Sequence, residues 1–300
     1  MTTQSMRSEI NVLPIIAFCA LGLIWGCNFI YIKMAANLIT PMQIVLYRVV
    51  LGFICVAAYA IFKGYIRISH LKYSIHFAVM SLLAASVYYL AYVKGIVLLM
   101  SGVAGALSGS VPLFSFILAV IFIPEEKITL TKIIGVLTGF AGVVLIAMPS
   151  GSTILESNIK GVLYIAFGSL CLGASFVYAK KFVMPLKLPT AALTAYQLGF
   201  SSLTMLLFTD YKGIGAVFND LHTALGLFIG LGLLGTSLAY IIYYYLVKEV
   251  GTVTASSVTY IPPVVALFIG AVIVGEPITI TDYIATIMIF MGIFLLRKNK

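Results

Sequence analysis

Acidic residues are scarce in this 300-residue chain, which has nine Asp and Glu against 18 Lys and Arg. All nine (Glu9, Glu125, Glu126, Glu156, Asp210, Asp220, Glu249, Glu276 and Asp282) fall outside the long apolar runs or at their ends. That placement excludes a proton relay built on a carboxylate in the middle of a membrane span. Histidine is as sparse: His70, His76 and His222 are scattered without ligand-like spacing. No metal centre and no acid–base pair is expected from them, and neither a catalytic residue nor a cofactor is assigned. The four cysteines (Cys19, Cys27, Cys55 and Cys171) lie inside apolar runs, at spacings that suit neither a disulfide framework nor a zinc knuckle. They read as small packing residues. A soluble domain is also missing, since the longest breaks between apolar runs, around 63–74, 149–160 and 209–223, are loop-sized.

What remains is apolar. Hydrophobic residues make up 62% of the chain, charged residues 9%, and the mean hydropathy is +1.14, outside the range of soluble domains. A span needs roughly 20 apolar residues to cross about 30 Å of hydrocarbon, so this length accommodates about ten. They are expected near 12–33, 41–62, 75–98, 101–123, 131–148, 161–181, 190–208, 224–246, 253–274 and 279–296. The first run has no small-residue cleavage site and carries Trp25, Asn28 and Lys33, so it reads as a retained span and not a secretory signal.

The formal charge of +9 sorts by side of the membrane. With an even number of spans both termini share a face. That face holds Arg7, Lys63, Arg67, Lys72, Lys127, Lys132, Lys180, Lys181, Lys187, Lys248, Arg297, Lys298 and Lys300, whereas the opposite loops hold little beyond Lys33, Lys160 and Lys212. The positive-inside bias makes both termini cytoplasmic. A charge explained by topology gives no support to a nucleic-acid partner.

The chain repeats itself. Residues 101–146 align on 251–296 at an offset of 150, matching Val103 with Val253, Pro112 with Pro262, Glu126 with Glu276, Thr129 with Thr279, Gly142 with Gly292 and Leu145 with Leu295. The first two spans of each half align at an offset of 147, matching Gly26 with Gly173, Phe29 with Phe176, Lys33 with Lys180 and Gly52 with Gly199. The change of offset places a small insertion near the third span. The turn-forming segment Pro149-Ser150-Gly151-Ser152 is the natural boundary, giving a first repeat over 1–149 and a second over 150–300. Each repeat has five spans, an odd number, so the two must lie in opposite orientations. Inverted repeats are the architecture of carriers that alternate access to a central site.

The fold class is therefore all-α: a polytopic membrane protein of ten transmembrane helices in two inverted five-helix repeats. Pro112 in span four and Pro262-Pro263 in span nine interrupt matching helices, and paired interruptions point to the central site. Around them lie Ser101, Ser108, Ser110, Ser115, Ser256, Ser257, Thr259 and Tyr260, most of which suit plain helix packing. Asn28 at mid-depth of span one aligns with Ser175 of span six, and the two could face a lumen or bond helix to helix. Span three offers Tyr88, Tyr89 and Tyr92, and span eight offers Tyr240 and Tyr243 besides an interfacial belt. Arg48 lies about 10 Å into span two at 1.5 Å per residue. An arginine at that depth either holds a substrate carboxylate or phosphate, or snorkels and ties itself to carbonyls. Lys94, nearer its helix end, reads as snorkelling. Glu126 and Glu276 are expected to cap or flank the helices that follow them.

Ten spans in inverted halves, the stretch Leu23-Ile24-Trp25-Gly26-Cys27-Asn28-Phe29, the pair Tyr47-Arg48, and the turns Pro124-Glu125-Glu126-Lys127-Ile128-Thr129 and Gly275-Glu276-Pro277-Ile278-Thr279 together resemble the EamA family of the drug/metabolite transporter superfamily. The resemblance covers essentially the whole chain. It implies an inner-membrane carrier, often an exporter of amino acids or related metabolites, with a central cavity between spans of both halves. By that similarity Trp25, Asn28, Tyr92, Ser175, Tyr240 and Tyr260 are expected to line the cavity. They join Arg48, Ser110, Pro112 and Pro262 as substrate-binding candidates. The chain differs from four-span multidrug relatives in lacking an acid in span one, which speaks against drug/proton antiport. The expected partners are a small-molecule substrate and membrane lipid, and the expected state is a monomer. Three alternatives stay open: uptake or exchange of an anionic or nucleotide-like metabolite, a passive channel, and, furthest from the residues, a membrane-embedded enzyme.

Overall fold

A computed structural model describes residues 12–123, 128–147, 155–250, 257–277 and 279–297. Among them every element is helical and no strand occurs. Ten helical spans follow in chain order: α1 (Val12–Ala36), α2 (Pro41–Phe62), α3 (residues 74–98), α4 (residues 101–122), α5 (Leu130–Ala147), α6 (Leu155–Tyr178), α7 (Thr190–Phe208), α8 (residues 221–250), α9 (residues 261–274) and α10 (Ile280–Arg297). Seven apolar helices have the length and hydropathy of a full crossing, and three shorter apolar ones cover 130–145, 258–274 and 280–295. The protein is an all-α, multi-pass membrane protein. The expected boundary at 149–152 falls outside the described residues.

Local sequence explains where the helices start. Thr40 precedes Pro41, whose fixed φ and missing N–H suit a first helical position. The Thr40 hydroxyl accepts from the Gln43 N–H at 3.4 Å and the Gln43 side-chain oxygen accepts from the Thr40 N–H at 3.0 Å, a reciprocal cap. The Gln43 amide also donates to the carbonyls of Asp210 (2.7 Å) and Lys212 (3.0 Å), tying α2 to the loop after α7. Asp220 caps α8 through the N–H groups of His222 and Thr223, and those bonds, the Thr223 hydroxyl first, hold its carboxyl below the usual range.

Helix α4 is broken: Ser101–Ser108 ends at Gly109-Ser110 and Val111–Phe122 resumes with Pro112 in its first turn, where the absent N–H is harmless. In the matching place of span nine a 3₁₀ turn over Ser257–Tyr260 gives way to the α-helix Ile261–Phe268, with Pro262-Pro263 at its start. Both prolines thus stand in the first turn of an α-helical segment. A second matched feature was not legible. Helix α3 contains a π turn over Leu82–Ser86, and α8, its counterpart, contains a π stretch over Gly226–Leu238. The wider i→i+5 winding of α8 absorbs residues that the shift from 147 to 150 adds between the second and fourth spans of the second half.

Packing follows the duplication. Helix α5 pairs with α10, α2 with α7, and α4 with α9; α3 packs on α6 as α1 packs on α8, and α4 on α6 as α9 on α1. Exchanging the halves maps this pattern onto itself. The α5–α10 pair is close because of matched glycines: a Cβ on Gly142 would lie 2.6 Å from the Ala285 carbonyl oxygen, and one on Gly292 would lie 2.5 Å from that of Gly135. Because consecutive spans run in opposite directions and each half has five, the exchange also turns one half over. The shared space lies where α1, α3 and α4 of the first half meet α6, α8 and α9 of the second.

Candidate functional site

That space is a cavity of about 160 Å³ walled by α1, α2, α3, α4, α6, α8 and the start of α9. Its size is near that of an engineered void that takes up benzene, about 150 Å³, and below the range typical of drug-sized ligands. Eight of the 18 wall residues are aromatic. Tyr88 stands against Tyr89 and Tyr92, with ring centroids 5.0 and 4.5 Å away, and Trp25 faces Tyr243 at 6.1 Å. The Tyr92 hydroxyl shares a 2.9 Å hydrogen bond with Ser169 of α6, fixing the ring from the second half.

Arg48 is the one charged side chain in this wall among the described residues. It is 6% exposed. Its Nε donates to the Thr236 hydroxyl at 3.2 Å and its Nη2 reaches the Gly235 carbonyl at 3.5 Å, both on the π stretch of α8. With the Asn28 amide turned so that its oxygen faces the guanidinium, Asn28 accepts from Nη2 at 3.1 Å and donates to the Ile24 carbonyl at 3.2 Å. The guanidinium carbon sits 3.9 Å from the centre of the Tyr89 ring, in cation–π contact. Thr236 is itself oriented by donating to the Leu231 carbonyl at 2.9 Å, and a Cβ on Gly235 would run into the Asn28 amide. Among the described residues no carboxylate lies within ion-pair reach of Arg48, and Nη1 has no acceptor. Three groups hold Nε and Nη2 of a guanidinium that belongs to the cavity wall.

The structure brings together six of the ten sequence candidates: Trp25, Asn28, Arg48, Tyr92, Tyr240 and Pro262. The remaining four stand outside the wall. Ser110 is 1% exposed in the α4 break and its hydroxyl has no partner among the described residues. Pro112, one position into the resumed helix, leaves its neighbour Val111 to face the cavity. Ser175 does not meet Asn28; its hydroxyl donates back to the Leu172 carbonyl at 2.7 Å, and Leu172 and Phe176 line the wall instead. Tyr260 packs against the main core while Thr259 lines the cavity. Tyr88, Tyr89, Tyr243 and Ser108 line it as well. Sequence reasoning missed the aliphatic wall residues Ile32, Ala84, Ile96 and Val111, which no polar signal distinguishes from core.

A second polar cluster lies at the end of the bundle where α1 finishes. The Glu276 carboxylate accepts from Lys33 Nζ at 2.7 Å and from the N–H groups of Ser101 (2.9 Å) and Gly102 (3.2 Å). Burial pushes this carboxyl up, but the Lys33 hydrogen bond and the two amides outweigh it and hold it below the ordinary range. The expectation that Glu276 caps the helix after it is corrected: it caps the first turn of α4, in the other half. The start of α10 is capped by Asp282, which accepts from the Thr279 N–H at 2.9 Å. Glu126 lies outside the described residues. Lys180, which matches Lys33 in the repeat, is exposed.

Comparison with known proteins places this geometry. The model of the EamA-like transporter family matches twice, over residues 12–148 and 159–298. An uncharacterized transporter of Archaeoglobus fulgidus is 25% identical over 92% of this chain and 95% of its own length. The uncharacterized inner membrane transporter YedA of Escherichia coli K12 is 25% identical over 97% and 92%. The uncharacterized transporter YdfC of Bacillus subtilis is 24% identical over 92% and 89%. A crystal structure covering 95% of both chains superposes with a TM-score of 0.62 at 19% identity, a likeness of fold.

Proposed function

The chain belongs to the EamA-like transporter family, and from that premise we propose that it is a secondary carrier exporting a small polar metabolite, such as an amino acid, across the inner membrane. The two halves, divided near residue 149, rock about the central cavity and expose it to one side at a time. Both termini are cytoplasmic on this reading, following the distribution of Lys and Arg. The E. coli relative's printed name supports the inner-membrane assignment.

The observation that carries the proposal is the tether of Arg48. A side chain of the first half is held by Thr236 and Gly235 of the second, across a cavity lined from both halves. Relative movement of the halves must remake these bonds, so occupancy and conformation are linked at one place. The amino-acid class is supported by the size of the cavity, which suits a ligand of benzene dimensions. A channel reading lacks its usual ring of selectivity groups. An enzyme would need convergent titratable groups, and the wall supplies Arg48 with phenols.

In proteoliposomes the purified protein should move at least one compound from a panel of amino acids and related metabolites, saturably and with counterflow. Asn28→Ala, which removes one of the three groups that hold Arg48, and Tyr240→Ala should each reduce flux at least fivefold while leaving the protein folded by size exclusion. Unchanged flux in both variants, or linear unsaturable flux, overturns the reading.

A further inference from the structure

Resting on the carrier reading, we propose that Arg48 makes the substrate a monocarboxylate anion and makes transport an exchange, with the empty carrier returning slowly. Three observations converge. The wall has one cation and no acid among the described residues. Its guanidinium is fixed on the Nε and Nη2 edge by Thr236, Gly235 and Asn28, over the face of Tyr89. Among the described residues no group accepts from Nη1, and Arg48 belongs to the cavity wall. A carboxylate meeting Nη1 forms a charge-assisted hydrogen bond and neutralises the site. A substrate presenting an ammonium group alone would meet like charge.

The exchange behaviour follows from the same charge. Arginine stays protonated at any accessible pH, so the cavity cannot discard its charge by releasing a proton. When the cavity faces water on either side, Arg48 is hydrated; when both ends close during reorientation, that hydration is lost. The loaded cavity crosses this closed state with the cation matched by the anion, whereas the empty one crosses it with an unmatched buried charge. Reorientation is therefore faster with substrate than without. The duplication underlines the point: the position matching Arg48 at the 147 offset is Ala195, so the second half adds no charge of its own.

The test uses matched acid and amide probes: phenylacetate with phenylacetamide, hexanoate with hexanamide, and L-phenylalanine with L-phenylalaninamide, at constant ionic strength. For the detergent-purified full chain, thermal unfolding titrations should give acids at least tenfold tighter binding than their amides. Arg48→Gln should erase the difference, and Arg48→Lys should keep its direction with weaker binding. In proteoliposomes of unaltered protein, which do not depend on any variant folding, efflux of the best-bound acid should rise at least fivefold when the same acid is outside. Amides binding as well as acids, no acid binding at all, or efflux indifferent to external acid would each overturn the inference. Flux of the amides alone would do so while leaving the carrier reading intact, whereas absence of flux for every probe and for the wider metabolite panel would count against the carrier itself.

Discussion

On the proposed carrier reading, opening the bundle at the end where α1 finishes breaks the Glu276 cluster, which ties α1 and the turn before α10 to the start of α4. Glu276 is 8% exposed at its side chain and Lys33 29%. Hydrogen bonds to a charged group are worth about 1.5–3 kcal/mol each, and removing one member of a well-buried pair costs about 3–5 kcal/mol. Glu276→Gln keeps one acceptor oxygen for a backbone amide and loses the charge, and the partial exposure of Lys33 lets water replace part of the loss. The expected weakening is about 2–3 kcal/mol. Ser101, fully buried beside the carboxylate, is the reporter position. With the four native cysteines replaced, Ser101→Cys should react with a membrane-impermeant maleimide only from open states. At 1.36 kcal/mol per tenfold, Glu276→Gln should accelerate labelling roughly 30- to 160-fold. Lys33→Met should give a smaller increase, since both amide bonds survive.

The direction of the Glu276 shift adds a pH arm. A carboxyl held below its ordinary value when closed contributes closure that is complete above that value of 4.5 and lost as pH falls below it. Acidifying the compartment that this end faces should therefore raise the labelling rate of the protein with Glu276 relative to that of Glu276→Gln, whose rate falls only with the thiolate fraction of the reporter cysteine. If neither substitution changes the labelling rate, the cluster does not hold that end shut and the reasoning fails.

Two further outcomes follow from close contacts. Gly292→Val would force a side chain into the Gly135 carbonyl and the Gly139 backbone, so thermal unfolding in detergent should show a loss of about 1–3 kcal/mol, and Gly142→Val should match it because the contact is reciprocal. Gly235→Ala would press on the Asn28 amide beside Arg48 and place a Cβ 2.8 Å from the Gly230 carbonyl oxygen, so unfolding temperature should fall and substrate affinity, read by titration on the protein that remains folded, should fall at least fivefold; unaltered affinity would show that Asn28 does not position the guanidinium.

The fold was legible because a bilayer leaves few options: apolar length dictates each crossing, and α2 and α7 begin and end at the residues hydropathy gives, 41–62 and 190–208. The helix starts at Pro112 and Pro262 were legible for a similar local reason, the missing N–H. The π turns were not. In a helix apolar on every face, a change from 3.6 residues per turn leaves no trace in the pattern of polar and apolar positions. The site was half legible. Arg48 and Asn28 stood out because charge and amide are rare at depth, but their partners Thr236 and Gly235, 188 and 187 residues from Arg48, could be joined to them only by the fold. Glu276 misled because an acid beside a helix start suits the helix dipole equally well whichever helix that is.

Symmetry and its violations divide the labour in this chain. What the halves share is mechanical: helical segments that start at Pro112 and Pro262, close glycines at Gly142 and Gly292, π turns in α3 and α8, and a packing pattern unchanged by exchange of the halves. On the proposed carrier reading such a scaffold has two equivalent tilts, related by a two-fold axis in the membrane plane. Chemical character enters where the halves differ. Arg48 faces the cavity and Ala195 takes its place in the other half; Asn28 holds the guanidinium while Ser175 bonds its own helix; Lys33 is engaged at one end while Lys180 is exposed at the other. If both halves carried the arginine, two buried cations would share one small cavity, and no monoanion could neutralise them. On the proposed carrier reading, a single charge on a duplicated frame sets one binding polarity at the centre of two interconvertible shapes, which is the minimum needed to choose a cargo without choosing a side.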